Sequence, residues 1–279
     1  MRFAISTSPQ RTTWEWLREV WKRADDIELF ESGWTFDHFY PLFGDSTEDC
    51  LEGWISLTAL LHETQRLRGG VLVTGMIYRH PAVLANMAAT LDVTSGGRLE
   101  LGVGAGWNEE ECTAYGIDLG TMNERFERFE EGVEVLHLLL TRDRADFEGR
   151  WYRLTDAMNN PKPVQDPLPI CIGGSGLRRT IPAAARWAQH WNYGSPTMNV
   201  EDFTMRHRVF VDACEAVGRD PGDITVSSIV RYSPDAAVMA AEARAFAEAG
   251  VDLGIVSVPK DADPAVVADI AEALAPLAE

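Results

Sequence analysis

The chain has 279 residues, of which 46% are apolar, and a formal charge of −18. A βα barrel of roughly 250 residues is an ordinary single domain, so one substantial core spanning residues 1–279 is the expected organisation. The excess of acid leaves no basic stripe to neutralise phosphates, which argues against nucleic acid and anionic membrane surfaces as partners.

The first residues, Met1-Arg2-Phe3-Ala4-Ile5-Ser6, enter a strand-like run with no long apolar segment behind them. Neither a signal peptide nor a membrane span is expected, and the cytoplasm is the expected compartment. From there, apolar runs of strand length alternate with helical patterns, as in parallel strands joined by helical crossovers. The strand candidates are Arg2 to Thr7, Trp34 to Phe36, Leu67 to Thr74, Leu99 to Val103, Leu168 to Ile172, His190 to Tyr193, Ile224 to Ile229 and Leu253 to Val258. Their low polarity on both faces suits a barrel wall better than a sheet with one wet side. The expected fold is α/β, a single barrel of about eight βα units, the TIM-barrel architecture.

Between the strands, Thr12 and Glu15 have capping-box spacing, and Trp14, Leu17, Trp21 and Ala24 follow at helical spacing, which assigns the tryptophans to packing. Pro81 and Pro264 stand where first-turn prolines belong, while Gly218 and Gly250 stop their helices. On the longest helix Phe126, Phe129, Val133, Leu136 and Leu140 form an inward seam, and the charges from Glu124 to Glu134 read as its solvated face. Thr141 to Pro167 breaks the alternation: Asp146-Phe147-Glu148-Gly149-Arg150-Trp151-Tyr152 reads as a hairpin, followed by a proline-rich loop, together an insertion before the fifth strand. A helix-to-strand connection emerges at the face opposite the working end of a barrel, so a scaffold or subunit contact is the favoured reading and a folded-back lid the alternative.

Cys50, Cys112, Cys171 and Cys214 are scattered, with no Cys-x-x-Cys pair and no histidine spacing suited to zinc. They read as reduced thiols, Cys171 within an apolar strand and Cys214 on the inner face of a helix, and no metal is expected.

In a βα barrel the working residues project from the carboxyl ends of strands. After the second strand, Asp37-His38-Phe39-Tyr40-Pro41-Leu42-Phe43 offers an acid, an imidazole and an apolar wall. With an ordinary pKa of about 6.5, His38 can move a proton near neutrality, although a histidine merely satisfied by its neighbours is the plain alternative. After the third, Thr74 offers a hydroxyl, and His80, before Pro81, reads as a cap or packing residue. After the fourth, the run Gly96 to Gly106 leaves a strand end bare of side chains, and Trp107 closes it with a large apolar wall. Glycine there lets backbone approach a ring or phosphate, though a tight turn would also explain it. After the fifth, Gly173-Gly174-Ser175-Gly176, with Arg178 and Arg179 nearby and a helix expected behind, is the best phosphate cradle in the chain. No Gly-x-Ser-x-Gly elbow, phosphate-binding Lys loop or His-x-His pair appears. On their own these residues describe a barrel that binds a phosphorylated, flat organic cofactor.

Thr35-Phe36-Asp37-His38-Phe39-Tyr40, Val73-Thr74-Gly75 leading into Tyr78-Arg79-His80-Pro81-Ala82-Val83, Gly96 through Trp107, and Phe147-Glu148-Gly149-Arg150-Trp151-Tyr152 with Ile172-Gly173-Gly174 carry a resemblance. In this order, over nearly the whole chain, they resemble the bacterial luciferase-like family, and most closely its branch using the 8-hydroxy-5-deazaflavin coenzyme F420. The resemblance implies hydride transfer at the deazaflavin C5. It places Asp37, Thr74 and Ala105 with Gly106 against the cofactor, Gly173, Gly174, Ser175 and Gly176 on its phosphate, and His38 as proton donor or acceptor. It also implies a homodimer and a non-proline cis peptide in the third strand, expected at Val71–Leu72. Where the family's sugar-phosphate dehydrogenases carry a carboxylate just past the fourth-strand glycines, this chain has Trp107, with Glu109 and Glu110 arriving later, so a sugar phosphate is not the expected substrate. Phe39, Tyr40, Phe43, Trp107 and Tyr115 suggest a small hydrophobic or aromatic molecule instead. Ile27-Glu28-Leu29-Phe30-Glu31 lacks the glycine usual in relatives, so the second strand is expected to begin irregularly. The alternatives are an FMN-dependent two-component monooxygenase and a non-catalytic flavin-binding barrel; a metal-dependent barrel hydrolase is disfavoured by the absent ligand pairs.

Overall fold

The computed structural model describes residues 1–42, 44–195 and 197–278. Its strands are β1 (Arg2–Ser6), β2 (Phe30–Thr35), β3 (Arg68–Val71), β4 (Thr74–Gly75), β5 (Leu99–Gly104), β6 (Ala145–Glu148), β7 (Arg153–Ala157), β8 (Ile170–Gly173), β9 (His190–Tyr193), β10 (Thr225–Val230) and β11 (Leu253–Ser257). All but β6 and β7 form one sheet in the order β3-β2-β1-β11-β10-β9-β8-β5-β4, and an additional β3–β5 pairing closes it into a barrel. Every pairing in that sheet is parallel. The expected third strand is thus a single stave in two pieces, β3 and β4, broken where the Leu72–Val73 peptide is cis, one residue beyond the pair expected from sequence.

Outside the barrel lie α1 (Trp14–Asp25), α2 (Gly53–Glu63), α3 (Pro81–Ser95), α4 (Glu109–Tyr115), α5 (Met122–Thr141), α6 (Thr180–Trp187), α7 (Val200–Ala216), α8 (Ala236–Glu248) and α9 (Val266–Leu274). Strand residues alternate between two cores. Phe3, Phe30, Leu101 and Trp191 face the helices, where they meet Trp21, Leu57, Leu84 and Phe129. Ala4, Trp34, Cys171, Leu253 and Ile255 fill the barrel interior. None of the described helices is long and apolar enough to cross a membrane.

Local signals mostly act as read, with shifts of a residue or two. The first helix is capped by Thr13, whose Oγ1 accepts from the Trp16 N–H at 3.2 Å, rather than by Thr12. His80 caps α3 through its Nδ1, which accepts from the Ala82 N–H, and Pro81 follows at the first turn. Pro264 stands just before α9 instead of within it. The second strand begins irregularly, as expected: Phe3 pairs with Phe30 but Ala4 with Ser32, leaving Glu31 as a bulge.

β6 and β7 form the expected hairpin, which packs against α5. Its turn is gripped by Glu131, which accepts from the N–H groups of Arg150 (2.9 Å), Trp151 (2.9 Å) and Tyr152 (3.2 Å). Arg128 lies over the Trp151 ring at 4.3 Å, and Tyr152 meets His80 edge-on at 5.2 Å, beside the loop that leaves β4. Glu127 also binds Arg150 and Trp151, and Glu130 binds Arg179, so these acids are structural ties and not only a solvated face.

The barrel wall is closest packed at Gly102, where an added Cβ would lie 1.9 Å from the Val71 carbonyl oxygen. Gly102→Ala is therefore expected to cost more than about 3 kcal/mol, since backbone must move. Gly218→Ala, at a positive φ of 72° with open space around it, should cost only about 1 kcal/mol. Thermal unfolding followed by circular dichroism separates the two.

Candidate active site

A cavity of about 250 Å³ opens at the carboxyl ends of the strands, lined by His38, Leu72, Val73, Gly75, Tyr78, Gly106, Trp107, Gly173, Gly174, Asn192 and Gly194. Its floor is Val73, immediately after the cis bond. A Cβ at Gly104 would stand 2.7 Å from one Val73 methyl, and a Cβ at Gly173 would stand 2.7 Å from the other. These glycines thus clear room for a valine side chain, and that side chain presents the apolar surface to the cavity.

His38 forms one wall. Its Nδ1 lies 2.7 Å from Glu111 Oε2, so a neutral ring carrying its proton on Nδ1 donates there and leaves Nε2 as the free nitrogen. Glu111 has no exposed surface and also accepts from Tyr78 Oη at 2.9 Å and from the Phe39 N–H. Burial pushes the Glu111 carboxyl up, but the hydrogen bonds from His38, Phe39 and Tyr78 outweigh it and hold the group below the ordinary carboxylate range. The Tyr78 phenol moves the opposite way, through burial and the charge of Glu111, so it remains a donor. Glu111 sits in the first turn of α4, whose N-cap Asn108 accepts from the Glu111 N–H at 3.1 Å. Trp107, 60% exposed, meets the His38 ring edge-on at 5.6 Å.

Opposite lies the glycine loop after β8. None of the backbone N–H groups from Ser175 to Thr180 donates to another described residue, while the Gly174 N–H is taken by the Asn192 carbonyl. Such a run of free donors leading into a helix has the chemistry that suits an anion. Two details differ from expectation: α6 begins at Thr180, after an intervening turn, and Arg179 is committed to Glu130 and Asn123. The Ser175 hydroxyl donates to the Gly194 carbonyl at 2.6 Å, so Ser175 offers an anion its N–H alone.

Of the residues singled out from sequence, His38, Gly106, Trp107, Gly173 and Gly174 line the cavity together, and Ser175 and Gly176 extend from its edge. Asp37 is fully buried and pairs bidentately with Arg79, which also reaches Glu52 at 3.3 Å. Thr74 is turned away, its Oγ1 accepting from Trp54 Nε1 at 2.8 Å. Ala105 is half-buried against the outer core. Phe39 meets Tyr115 at a tilt with centroids 4.8 Å apart and Tyr40 stacks on it at 6.2 Å, making an aromatic cluster beyond His38 that does not line the cavity itself. Phe43 lies outside the described residues. Sequence reasoning missed Glu111, Tyr78, Val73, Asn192 and Gly194. The four cysteines carry no disulfide, and no group of three or more His, Cys, Asp or Glu among the described residues is arranged to hold a metal.

The model of the luciferase-like monooxygenase family matches residues 1–276. The chain belongs to that family. An uncharacterized protein of Mycobacterium tuberculosis is 30% identical over 66% of this chain and 64% of its own length. An F420-dependent glucose-6-phosphate dehydrogenase of Microbacterium testaceum is 33% identical over 74% of this chain and 61% of its own length. The matches thus span under two thirds of these relatives. Among solved structures, an F420-dependent secondary alcohol dehydrogenase in complex with an F420-acetone adduct superposes with a TM-score of 0.88 at 20% identity, over 99% of this chain and 98% of that one. At that identity the likeness shows a shared fold.

Glu111→Ala should destabilise the family member by about 2 to 3 kcal/mol at neutral pH, because three buried donors lose their acceptor. A carboxyl whose folded-state pKa is depressed contributes stability above its unfolded value and loses it as pH falls through the folded one. The gap between wild type and variant in urea denaturation should accordingly close on acidification below the ordinary range of about 4.

Proposed function

We propose that this protein is a coenzyme F420-dependent oxidoreductase that moves a hydride between the deazaflavin C5 and a small hydrophobic organic substrate, working in the cytoplasm as a homodimer. One observation carries the reading. The cavity combines an apolar floor at Val73 and a histidine backed by a buried carboxylate on one wall, and a run of free N–H donors leads away from its opposite edge at Gly174. A flat ring with a phosphate on its tail fits that combination, and the relatives named as F420-dependent support the choice of ring.

F420, when bound, supplies hydride exchange at C5. The chain supplies the rest. Val73 and Leu72 keep water from beneath the ring, and the N–H groups beyond Gly174 hold the phosphate. His38 keeps Nε2 as its free nitrogen, able to take a proton and to return it, while Glu111 fixes the ring's orientation through Nδ1. Asp37 and Thr74, which resemblance placed against the cofactor, act here through bracing: Asp37 anchors Arg79 and Thr74 anchors Trp54. Trp107, where a sugar-phosphate enzyme of the family would carry a carboxylate, favours an apolar substrate, and the Phe39, Tyr40 and Tyr115 cluster extends that surface. Ile55, 73% exposed, and Val83, 54% exposed, stand on α2 and α3 near a groove that includes Met87, an apolar face suited to a second copy.

Titration of the purified protein with oxidised F420 and, separately, FMN, read by tryptophan quenching, should show selective F420 binding; preference for FMN would favour a two-component monooxygenase instead. His38→Ala should retain F420 affinity while losing turnover by about a hundredfold or more. Unchanged turnover would remove His38 from the reaction, and unchanged binding with no turnover on any substrate in the wild type would favour a binding protein. Light scattering on a sizing column should report a dimer, with Ile55→Glu shifting it toward monomer.

A further inference from the structure

Below the cavity the barrel interior is not uniformly apolar. On β9 the side chains of His190 and Asn192 point inward, while Trp191 packs outward on Phe210 at 4.5 Å. Asn192 reaches the cavity lining and is only 5% exposed. Its Nδ2 donates to Ser227 Oγ at 2.9 Å. The same hydroxyl lies 2.6 Å from His190 Nε2, and the opposite ring nitrogen, Nδ1, lies 3.1 Å from Glu100 Oε2. Glu100 Oε1 in turn accepts from Arg68 Nε at 3.0 Å, at the amino-terminal end of the barrel. A continuous polar thread therefore runs from the floor of the barrel to the cavity.

The charges along the thread set its direction. Burial opposes a charged imidazole, but Cys171 and Glu100 outweigh it and raise His190 to about 10. Burial likewise opposes the Glu100 carboxylate, and His190 and Arg68 bring it down to about 2. A cationic His190 has two N–H donors and no acceptor, so it donates to both Glu100 and Ser227. With one N–H from His190 and one from Asn192, both lone pairs of the Ser227 oxygen are occupied. The Asn192 amide is thereby held with Oδ1 toward the cavity, near Gly194, and among the described residues nothing donates to it. The other polar side chains of the lining, His38 and Tyr78, are both turned onto Glu111 through Nδ1 and Oη, so an acceptor placed like Asn192 Oδ1 calls for an N–H on the bound molecule.

We propose that Asn192 recognises the imide N–H of the bound ring through Oδ1, and that Ser227, His190 and Glu100 are positioning residues that hold the amide in that orientation. The inference rests on the flavin or deazaflavin reading above, and deepens it by assigning a ring-recognition residue. The imide is common to F420 and FMN, so the test does not depend on which of the two is preferred.

The test compares binding of F420 with that of F420 methylated at the imide nitrogen, and of FMN with its corresponding methyl derivative, by tryptophan quenching and by the visible absorption maximum of the bound ring. Wild type is expected to bind the unmethylated ring about tenfold more tightly. Asn192→Ala should lose about that factor and no longer distinguish the two. Ser227→Ala should fall between them and shift the bound ring's absorption less than Asn192→Ala does. Equal binding of methylated and unmethylated rings by wild type would overturn the proposal, and that comparison needs no variant to fold. Wild-type preference for the unmethylated ring that survives unchanged in Asn192→Ala would overturn it too. If F420 fails to bind but FMN binds with the methyl discrimination, the cofactor reading falls and the role of Asn192 stands.

Discussion

The site depends on one steric arrangement: the Val73 side chain occupies the space that Cβ atoms on two neighbouring staves would need. Its two methyl groups stand where side chains at Gly104 and Gly173 would begin, so both strands must be bare at that level. A single valine then carries the apolar floor across three adjacent strands. Everything above it is positioned relative to that platform, with His38 on the β2 side and the free N–H groups of the Ser175 loop beyond β8. The glycine-rich run after the fourth strand, which reads in the sequence as space kept for a ligand, is first of all space kept for Val73.

Around the platform, polar groups sit where packing can enforce their geometry. Glu111 is buried and takes three hydrogen bonds, one of which orients His38, and the Tyr78 phenol closes the set from the β4 side. Asp37, directly before His38 in the chain, is tied to Arg79, which follows Tyr78 in the next loop. The loops after β2 and β4 are thus tied twice, directly by Asp37 to Arg79 and through Glu111 of α4, which binds His38 of one loop and Tyr78 of the other. Removing Arg79 would leave the fully buried Asp37 carboxylate without its ion pair, a costly fault in a protein interior.

Much of this was legible before the structure. Alternating strand and helix signals located every stave of the barrel, because strands buried on both faces read as short apolar runs and need no long-range information. His38 and the run Gly173 to Gly176 stand out in the sequence because they follow strand ends, and the structure places His38, Gly173 and Gly174 on one cavity. Glu111 was hidden in the run Glu109-Glu110-Glu111 at a helix start, where acids are favoured by the helix dipole alone and one buried member looks like its exposed neighbours. Thr74 was misjudged for a different reason: which way a strand-end side chain turns depends on register, and the break at Leu72–Val73 resets it. Asn192 lay unremarked in an apolar strand because its value comes from Ser227 and Glu100, residues far away in sequence.

The hairpin of β6 and β7 separates two jobs that barrels usually assign to the same loops. The cavity floor at Val73 and the wall at His38 follow strand ends, whereas Arg150, Trp151 and Tyr152 pack from outside, held by acids on the flank of α5. Variation in the length or sequence of that turn can remodel the approach to the cavity without disturbing Val73, His38 or Glu111. The insertion is in effect a separately mounted element, held to α5 by contacts in which Val73, His38 and Glu111 take no part.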